Sequence, residues 1–281
     1  MKRIAIQGGA GAYHEIAART YFEEAVEIVP CLTFPDLFKV TEEDDKLMAI
    51  MAIENTIAGG LLPNHDLLRT NELKIAGEQK IRISHVLAVL PGQQLEDIKE
   101  VMSHPMALMQ CGAYLNAMEG VKVVEHEDTA LAAKEIAEEE LAGVAAICSE
   151  LAAKMYGLEI LAHGIETNKR NFTRFLILAH EEMVPGLRKS LTIDKASIVF
   201  TLPHEEGTLS QVLSVLSFYN INLTRIQSLP IVGIEWEHQF YVDVTFADYK
   251  RYQQALEAIL PLVGQLKILG EYKEDKQIVN K

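Results

Sequence analysis

Short apolar runs alternate with segments whose apolar positions recur every three or four residues through the first half of the chain. Arg3 to Gln7, Ala25 to Val29 and Leu47 to Ile53 read as strands, with helices predicted between them over Tyr13 to Phe22 and Phe34 to Thr41. That alternation predicts a parallel sheet with helices on its faces. The longest strand predicted runs from Lys80 to Leu90, placing Ile81, Ile83, His85, Leu87 and Val89 on one face before Pro91-Gly92 stops it. A second series follows: strands Ile98 to Met102, Val121 to Glu125 and Val144 to Cys148, with helices Pro105 to Ala117, Thr129 to Glu139 and Ser149 to Tyr156. Two α/β lobes are implied, joined near residues 80 and 164: lobe one about 1–79 plus 164–180, lobe two about 80–163. Small ligands of such folds bind in crevices at the carboxyl ends of strands.

Residues 181–194 carry Glu181, Glu182, Pro185, Gly186, Arg188 and Lys189 with little periodic apolar pattern, and read as a linker. Over 195–273 the pattern changes. Strand Ala196 to Leu202 precedes a helix from Gly207 with Leu209, Val212, Leu213 and Leu216 on one face. Strands Asn222 to Ser228 and His238 to Thr245, a helix with Tyr252, Leu256, Ile259 and Leu260, and a strand near Gln265 to Tyr272 complete a βαββαβ order. This is the ferredoxin-like split unit.

A chain of 281 residues suits two or three folding units, and 49% apolar with 23% charged residues is a globular composition. Forty acidic against 26 basic residues, a net charge of -14, disfavour nucleic acid as a partner. Cys31, Cys111 and Cys148 are odd in number and far apart, giving neither a disulfide framework nor a zinc spacing. Lys2-Arg3 is followed by only Ile4-Ala5-Ile6 before glycines begin, too short for a signal-peptide core, and no run approaches the roughly 20 apolar residues that span a bilayer. A cytoplasmic protein without a membrane partner is expected.

Candidate chemistry collects at strand ends. Gly8-Gly9-Ala10-Gly11-Ala12 joins a strand to a helix, either as a tight turn or as a cradle of N–H groups for an anion. It lacks the glycine offsets of a dinucleotide loop and the lysine of a phosphate loop. Glu54-Asn55-Thr56 ends another strand, as pocket residues or as caps. His85 falls on an apolar face, where a core role competes with a ligand role. Ser103 and His104 precede Pro105, with Gln110 one to two turns on, and Ser149 opens a helix; each fits a cap as well as a pocket. No histidine pair has the spacing of a helical metal site, so no metal is expected. Asn171-Phe172-Thr173-Arg174-Phe175 sets a hydroxyl beside a guanidinium at the head of an apolar strand, suited to an anionic substrate that loses an oxygen.

With these blocks in this order the chain resembles prephenate dehydratases: Gly8 to His14, Glu54-Asn55-Thr56 with Gly59, Ser103-His104-Pro105 through Gln110-Cys111, Asp128-Thr129-Ala130 with Ala132-Ala133-Lys134, Ala145-Ala146-Ile147 with Ser149, Tyr156-Gly157-Leu158, and Asn171 to Phe175. The resemblance implies a catalytic region of two α/β lobes similar to type II periplasmic binding proteins, followed by a ferredoxin-like ACT domain. It implies Thr173, Arg174 and Phe175 as the catalytic signature, and Asn55, Thr56, His85, Ser103, Gln110 and Ser149 as lining residues. The reaction implied is conversion of prephenate to phenylpyruvate for phenylalanine biosynthesis, with no cofactor and without chorismate mutase activity. Thr173 is expected to donate to the departing hydroxyl and Arg174 to hold a carboxylate. L-Phenylalanine is the implied effector, at a site around Gly207, Thr208, Leu209, Asn222, Leu223, Gln227, Ser228 and Pro230. Here the family's acidic and arginine side chains are replaced by Gln227 and Leu229. A homodimer or homotetramer is implied. The competing readings are arogenate dehydratase, a non-catalytic amino-acid sensor and, more remotely, an NAD-dependent enzyme.

Overall fold

The structure is a computed structural model and describes residues 1–188, 192–231 and 238–276. Its elements begin with β1 (Lys2–Gln7), α1 (Tyr13–Phe22), β2 (Val26–Cys31), α2 (Phe34–Glu43), β3 (Met48–Asn55), the two-residue β4 (Gly59–Gly60), α3 (Leu62–Thr70) and β5 (Lys74–Arg82). There follow β6 (Val86–Val89), β7 (Glu100–Ser103), α4 (Pro105–Gln110), α5 (Gly112–Asn116), β8 (Lys122–Glu125), α6 (Thr129–Glu138), β9 (Val144–Cys148), α7 (Glu150–Met155), β10 (Glu159–His163) and β11 (Phe172–Ala179). The last part comprises α8 (Val184–Leu187), β12 (Lys195–Thr201), α9 (Thr208–Phe218), β13 (Asn222–Pro230), β14 (His238–Thr245), α10 (Tyr249–Ile259) and β15 (Leu266–Tyr272). No helix among the described residues is long and apolar enough to cross a membrane.

Contacts group the chain into two compact units, one of Met1–Leu61 with Gln79–Phe175, the other of Leu62–Glu78 with the described residues from Leu176 on. The chain passes between them at Leu61–Leu62, within β5 and within β11. One sheet runs β2-β1-β3-β11-β5 with β4 against β3, and β1 lies parallel to both β2 and β3. A second runs β10-β6-β9-β7-β8, parallel in its β9-β7-β8 part and antiparallel where β6 meets β9 and β10. Ala88, Met102, Ala146 and Cys148 on one face of this sheet pack against α6 and α7 through Ala132, Ala133, Ile136 and Ala152. Leu87, Val101, Ala145 and Ile147 on the other face meet Leu108 and Cys111. Small residues let these helices ride close to the strands.

In the second unit β12, α9, β13, β14, α10 and β15 form an antiparallel sheet ordered β13-β14-β12-β15, the ferredoxin-like arrangement. Its core holds Ile198, Phe200, Val212, Leu216, Val242, Val244, Tyr252 and Ile259. Leu209, Val212 and Leu216 of the first predicted face and Tyr252, Leu256 and Ile259 of the second supply it, whereas Leu260 is exposed. The α/β class expected from the alternation is therefore observed.

Several expected elements are corrected. Lys80 to Leu90 is not one strand: β5 ends at Arg82, and β6 begins at Val86 in the other sheet. The period-two alternation runs unbroken across a change of sheet, which no glycine or proline marks. The helix expected over Pro105 to Ala117 is two, α4 and α5, divided at Cys111 just before Gly112. Helix α3 and strand β10 were not anticipated, and the expected linker contains a 3-10 turn at Glu181–Met183 and the short α8. Residues 189–191 of that linker lie outside the described residues.

Candidate active site

A cavity of about 240 Å³ lies within the first unit. Ala12, Tyr13 and His14 reach it from the head of α1, Asn55 from the end of β3, Ile83 and His85 from the segment between β5 and β6, Gln110 from α4, Asp128 and Thr129 from the head of α6, and Thr173 and Phe175 from β11. Successive side chains of a strand point to opposite faces, so Thr173 and Phe175 share the cavity side of β11 while Arg174 takes the other.

The cavity wall contains a hydrogen-bond chain whose polarity can be read from one end. The backbone N–H groups of Ile57 and Ala58 donate to Asn55 Oδ1 at 2.8 and 2.9 Å, which makes Nδ2 the donor branch of that amide. Asn55 Nδ2 donates to Asn171 Oδ1 at 2.8 Å and to Thr173 Oγ1 at 2.9 Å. Asn171 Nδ2 must then donate to Gln110 Oε1, 2.7 Å away. His85 Nε2 carries its hydrogen toward the same oxygen at 3.0 Å, and its Nδ1 lies 3.0 Å from the Tyr13 hydroxyl, which donates to Ser84 C=O at 2.8 Å. Glu166, fully buried, accepts the His85 backbone N–H at 3.0 Å. Burial lowers the His85 pKa, opposed by the hydrogen bond to Gln110 and the charge of Glu166, so the ring is neutral at pH 7. The consequence falls on Thr173. Its oxygen already accepts from Asn55, so its own O–H is left to donate.

The head of α1 is held open. Ser149 caps α7 by accepting from Ala152 N–H at 2.9 Å and donates its hydroxyl hydrogen to Gly11 C=O at 2.6 Å, while the Tyr156 hydroxyl donates to Ala10 C=O at 2.9 Å. No side chain caps α1, and the backbone N–H groups of Tyr13 and His14 meet no acceptor among the described residues. Uncapped N–H groups at a helix N-terminus favour an anion. His14 is 9% exposed, packs edge-on against Phe175 and Phe34, and its Nε2 has no hydrogen-bond partner. Burial pushes its pKa down to about 3.

The structure brings together Asn55, His85, Gln110, Thr173 and Phe175 of the expected set. It does not bring Arg174, Thr56, Ser103 or Ser149 to the cavity wall. Arg174 is 4% exposed with Nη1 3.5 Å from Glu54 Oε1, Thr56 Oγ1 donates to Arg170 C=O at 2.9 Å, and Ser103 Oγ donates to Ile147 C=O at 2.6 Å. Tyr13, His14, Asp128, Asn171 and Glu166 were given no role in the sequence reading. Tyr13, His14, Asp128 and Asn171 stand inside matched blocks, whereas nothing local marks Glu166. In the second unit Gly207 adopts φ +81° ahead of α9, and Thr208 Oγ1 donates to the carbonyls of Pro203 and Glu205 at 3.2 and 3.1 Å. Asn222, Leu223, Gln227, Ser228 and Pro230 lie on β13, where Gln227 Nε2 donates to Ser228 C=O at 3.0 Å.

The sequence profile of the prephenate dehydratase family matches residues 4–183. The chain belongs to the prephenate dehydratase family. It is 39% identical over 284 residues to arogenate dehydratase/prephenate dehydratase 2, chloroplastic, of Arabidopsis thaliana, covering 97% of this chain and 73% of that protein. A crystal structure of prephenate dehydratase from Arthrobacter aurescens in complex with L-Phe superposes with a TM-score of 0.84 at 28% identity, over 97% of this chain and 90% of that one. The structure of GqqA, described as a novel type of quorum quenching acylase, is similar to the same degree: TM-score 0.84, 30% identity, over 96% and 97% of the two chains. Membership makes this prephenate dehydratase homologue a lyase of aromatic amino acid biosynthesis.

Proposed function

We propose that the protein converts prephenate to phenylpyruvate, with residues 1–180 as the catalytic region, 181–194 as a linker and 195–273 as an ACT regulatory module, in the cytoplasm and as a homodimer or homotetramer. The observation that carries the reaction is the donor polarity of Thr173, set by Asn55 and facing the cavity. In prephenate the bond from the ring to its carboxylate breaks, the electron pair enters the ring, and the opposite C–O bond breaks. CO2 leaves, and the hydroxyl leaves as water with a proton drawn from solvent. Negative charge grows on the departing oxygen, where a fixed donor stabilises the transition state more than the ground state. The free N–H groups of α1 are placed to take a substrate carboxylate.

Arg174 acts as a positioning residue. Its guanidinium pairs with Glu54 and does not line the cavity, whereas a grip on a substrate carboxylate was expected. An acyl-transfer reading would need a base that takes the proton of Thr173. Asn55 donates to that oxygen instead, which disfavours a nucleophile. Regulation by L-phenylalanine is supported by the complex of the Arthrobacter relative and by the C-terminal βαββαβ module.

Turnover of prephenate with and without L-phenylalanine tests the reading. Thr173→Ala should lower kcat by about 10²-fold or more, as for loss of one preorganised donor, with thermal unfolding unchanged; Thr173→Ser should retain most activity. A Thr173→Ala rate near that of the wild type would remove Thr173 from the mechanism, and a rate indifferent to L-phenylalanine would remove the effector.

A further inference from the structure

A second cavity, of about 550 Å³, lies wholly within the unit formed by Leu62–Glu78 and the described residues from Leu176 on. Val199 and Thr201 of β12, Gln239 of β14 and Lys267 of β15 line it, and Arg69 reaches it from α3. Strand alternation puts Val199 and Thr201 on the sheet face opposite Ile198 and Phe200, whose side chains fill the core with α9 and α10. None of the residues expected to hold L-phenylalanine lines this space.

The polar side chains there are donors with hydrogens left to give. Lys267 Nζ donates to the carbonyls of Arg69 and Asn71 at 2.8 and 2.7 Å, which fixes the ammonium at the end of α3 with one of its three N–H groups unspent. Arg69 directs Nε and Nη2 to Asp66 Oδ1 at 3.3 and 3.0 Å, two of its five N–H groups. Thr201 Oγ1 accepts the Gln265 N–H at 2.9 Å, which leaves its own hydroxyl hydrogen to donate. Gln239 is 3% exposed, and its amide makes no hydrogen bond among the described residues. A buried amide left unpaired is costly, and a ligand that accepts its N–H removes that penalty.

Charge narrows the ligand. No Asp or Glu among the described residues lines the cavity, in a chain of net charge -14. Two cationic side chains in a space without acidic ones draw in an anion. Burial, opposed by Glu72 and helped by Lys74 and Arg69, lowers the pKa of Lys267, and an anion beside the ammonium would raise it again. The planar fork of arginine suits a carboxylate. An ammonium group would find no counterion here, which separates a 2-oxo acid from the amino acid of the same skeleton.

We propose that this cavity is a second, non-catalytic binding site for a small 2-oxo acid. The carboxylate meets Arg69 and Lys267, the oxo group accepts from Gln239 and Thr201, and the hydrocarbon part lies against Val199 and Ile231. The site stands apart from the dehydratase reading; only the identity of its occupant, as the 2-oxo acid that enters or leaves that reaction, rests on it.

Hydrogen exchange of the full chain at increasing phenylpyruvate, followed over 65–71 and 238–241, reads this site apart from the catalytic cavity. Both segments should become protected. The concentration giving half the effect should rise on the order of tenfold or more in Arg69→Gln, the scale of a hydrogen bond between charged groups, and about threefold or more in Gln239→Met, which keeps the length of the side chain. Binding of L-phenylalanine and of inorganic phosphate should be indifferent to both substitutions. No protection by phenylpyruvate, or unchanged half-effect concentrations in the folded variants, would overturn the site. L-phenylalanine or phosphate binding weakened equally by the variants would overturn the 2-oxo acid as its ligand class. Prephenate added to the Thr173→Ala chain is the second arm: the tighter of the two acids is the occupant, and failure of both rejects the proposal. If the wild type turned over no prephenate, the dehydratase reading would fall, and protection by phenylpyruvate that is lost in Arg69→Gln would still uphold the site.

Discussion

Thr173 and His14 show how one side chain's state is set by its immediate neighbours. A threonine hydroxyl can donate or accept, and Asn55, fixed in turn by two backbone N–H groups, decides for donation. His14 is decided by burial, which holds its pKa near 3 and keeps the ring neutral throughout the working range. A folded-state pKa depressed below the ordinary 6.5 means that the unfolded chain binds more protons between those values. Stability is therefore full above about pH 6.5 and falls as pH drops toward 3. Between pH 7 and pH 4 this site alone should cost on the order of 3 kcal/mol. Urea unfolding at pH 7, 5.5 and 4 should show a shallower acid loss in His14→Gln than in the wild type, and equal slopes would place the ring in water. The sequence could single out Thr173 and Asn55 by residue type and spacing. It could not show which way their hydrogen bond runs, because Asn171 and Thr173 meet Asn55 only after folding.

The element that organises the site is the loop from β1 into α1. Gly11 has φ +87°, and a Cβ there would lie 2.6 Å from Ala152 Cα, so the loop backbone rests directly on α7. Ser149 and Tyr156 pin the same loop. Gly11→Ala combines a left-handed backbone with a backbone clash and should cost at least about 2 kcal/mol while raising KM. Gly92→Ala has a similar φ of +88° and nothing within 4 Å, and should cost about 1 kcal/mol with no change in KM. Comparing their chemical denaturation midpoints and KM values separates contact from backbone strain; equal costs would mean that α7 does not constrain the loop. Ser149 illustrates why a strand-end residue was ambiguous in the sequence. It caps α7 and also holds the loop into α1, touching the cavity through neither.

At the scale of the molecule, contacts do not follow the linear order. Leu62–Glu78 belongs with the residues after Leu176, and a buried ion pair ties the two segments of that unit. Lys195 Nζ donates to Glu78 at 3.0 and 2.9 Å, and Asp275 N–H donates to Glu78 Oε1 at 3.0 Å. Lys195→Met should destabilise the protein by about 3–5 kcal/mol, because the buried Glu78 carboxylate would lose the ammonium that pairs with it, and adding Glu78→Gln should recover part of the loss. Thermal or urea unfolding of the single and double variants checks this, and a stable single variant would show that Glu78 reaches solvent.

Hydrophobic periodicity alone determined the α/β class, the βαββαβ order of the last domain, helix α1 residue for residue, and the strand ends at which small and polar side chains gather. These are local properties, carried by the spacing of apolar residues and by capping chemistry. Only the tertiary structure decided that Lys80 to Leu90 divides between two sheets, that Arg174 turns toward Glu54 while Thr173 faces the cavity, and that Asp128, Tyr13 and His14 join the site. Each depends on contacts between residues far apart in the chain, such as the 116 positions separating Asn55 from Asn171, which periodicity does not encode.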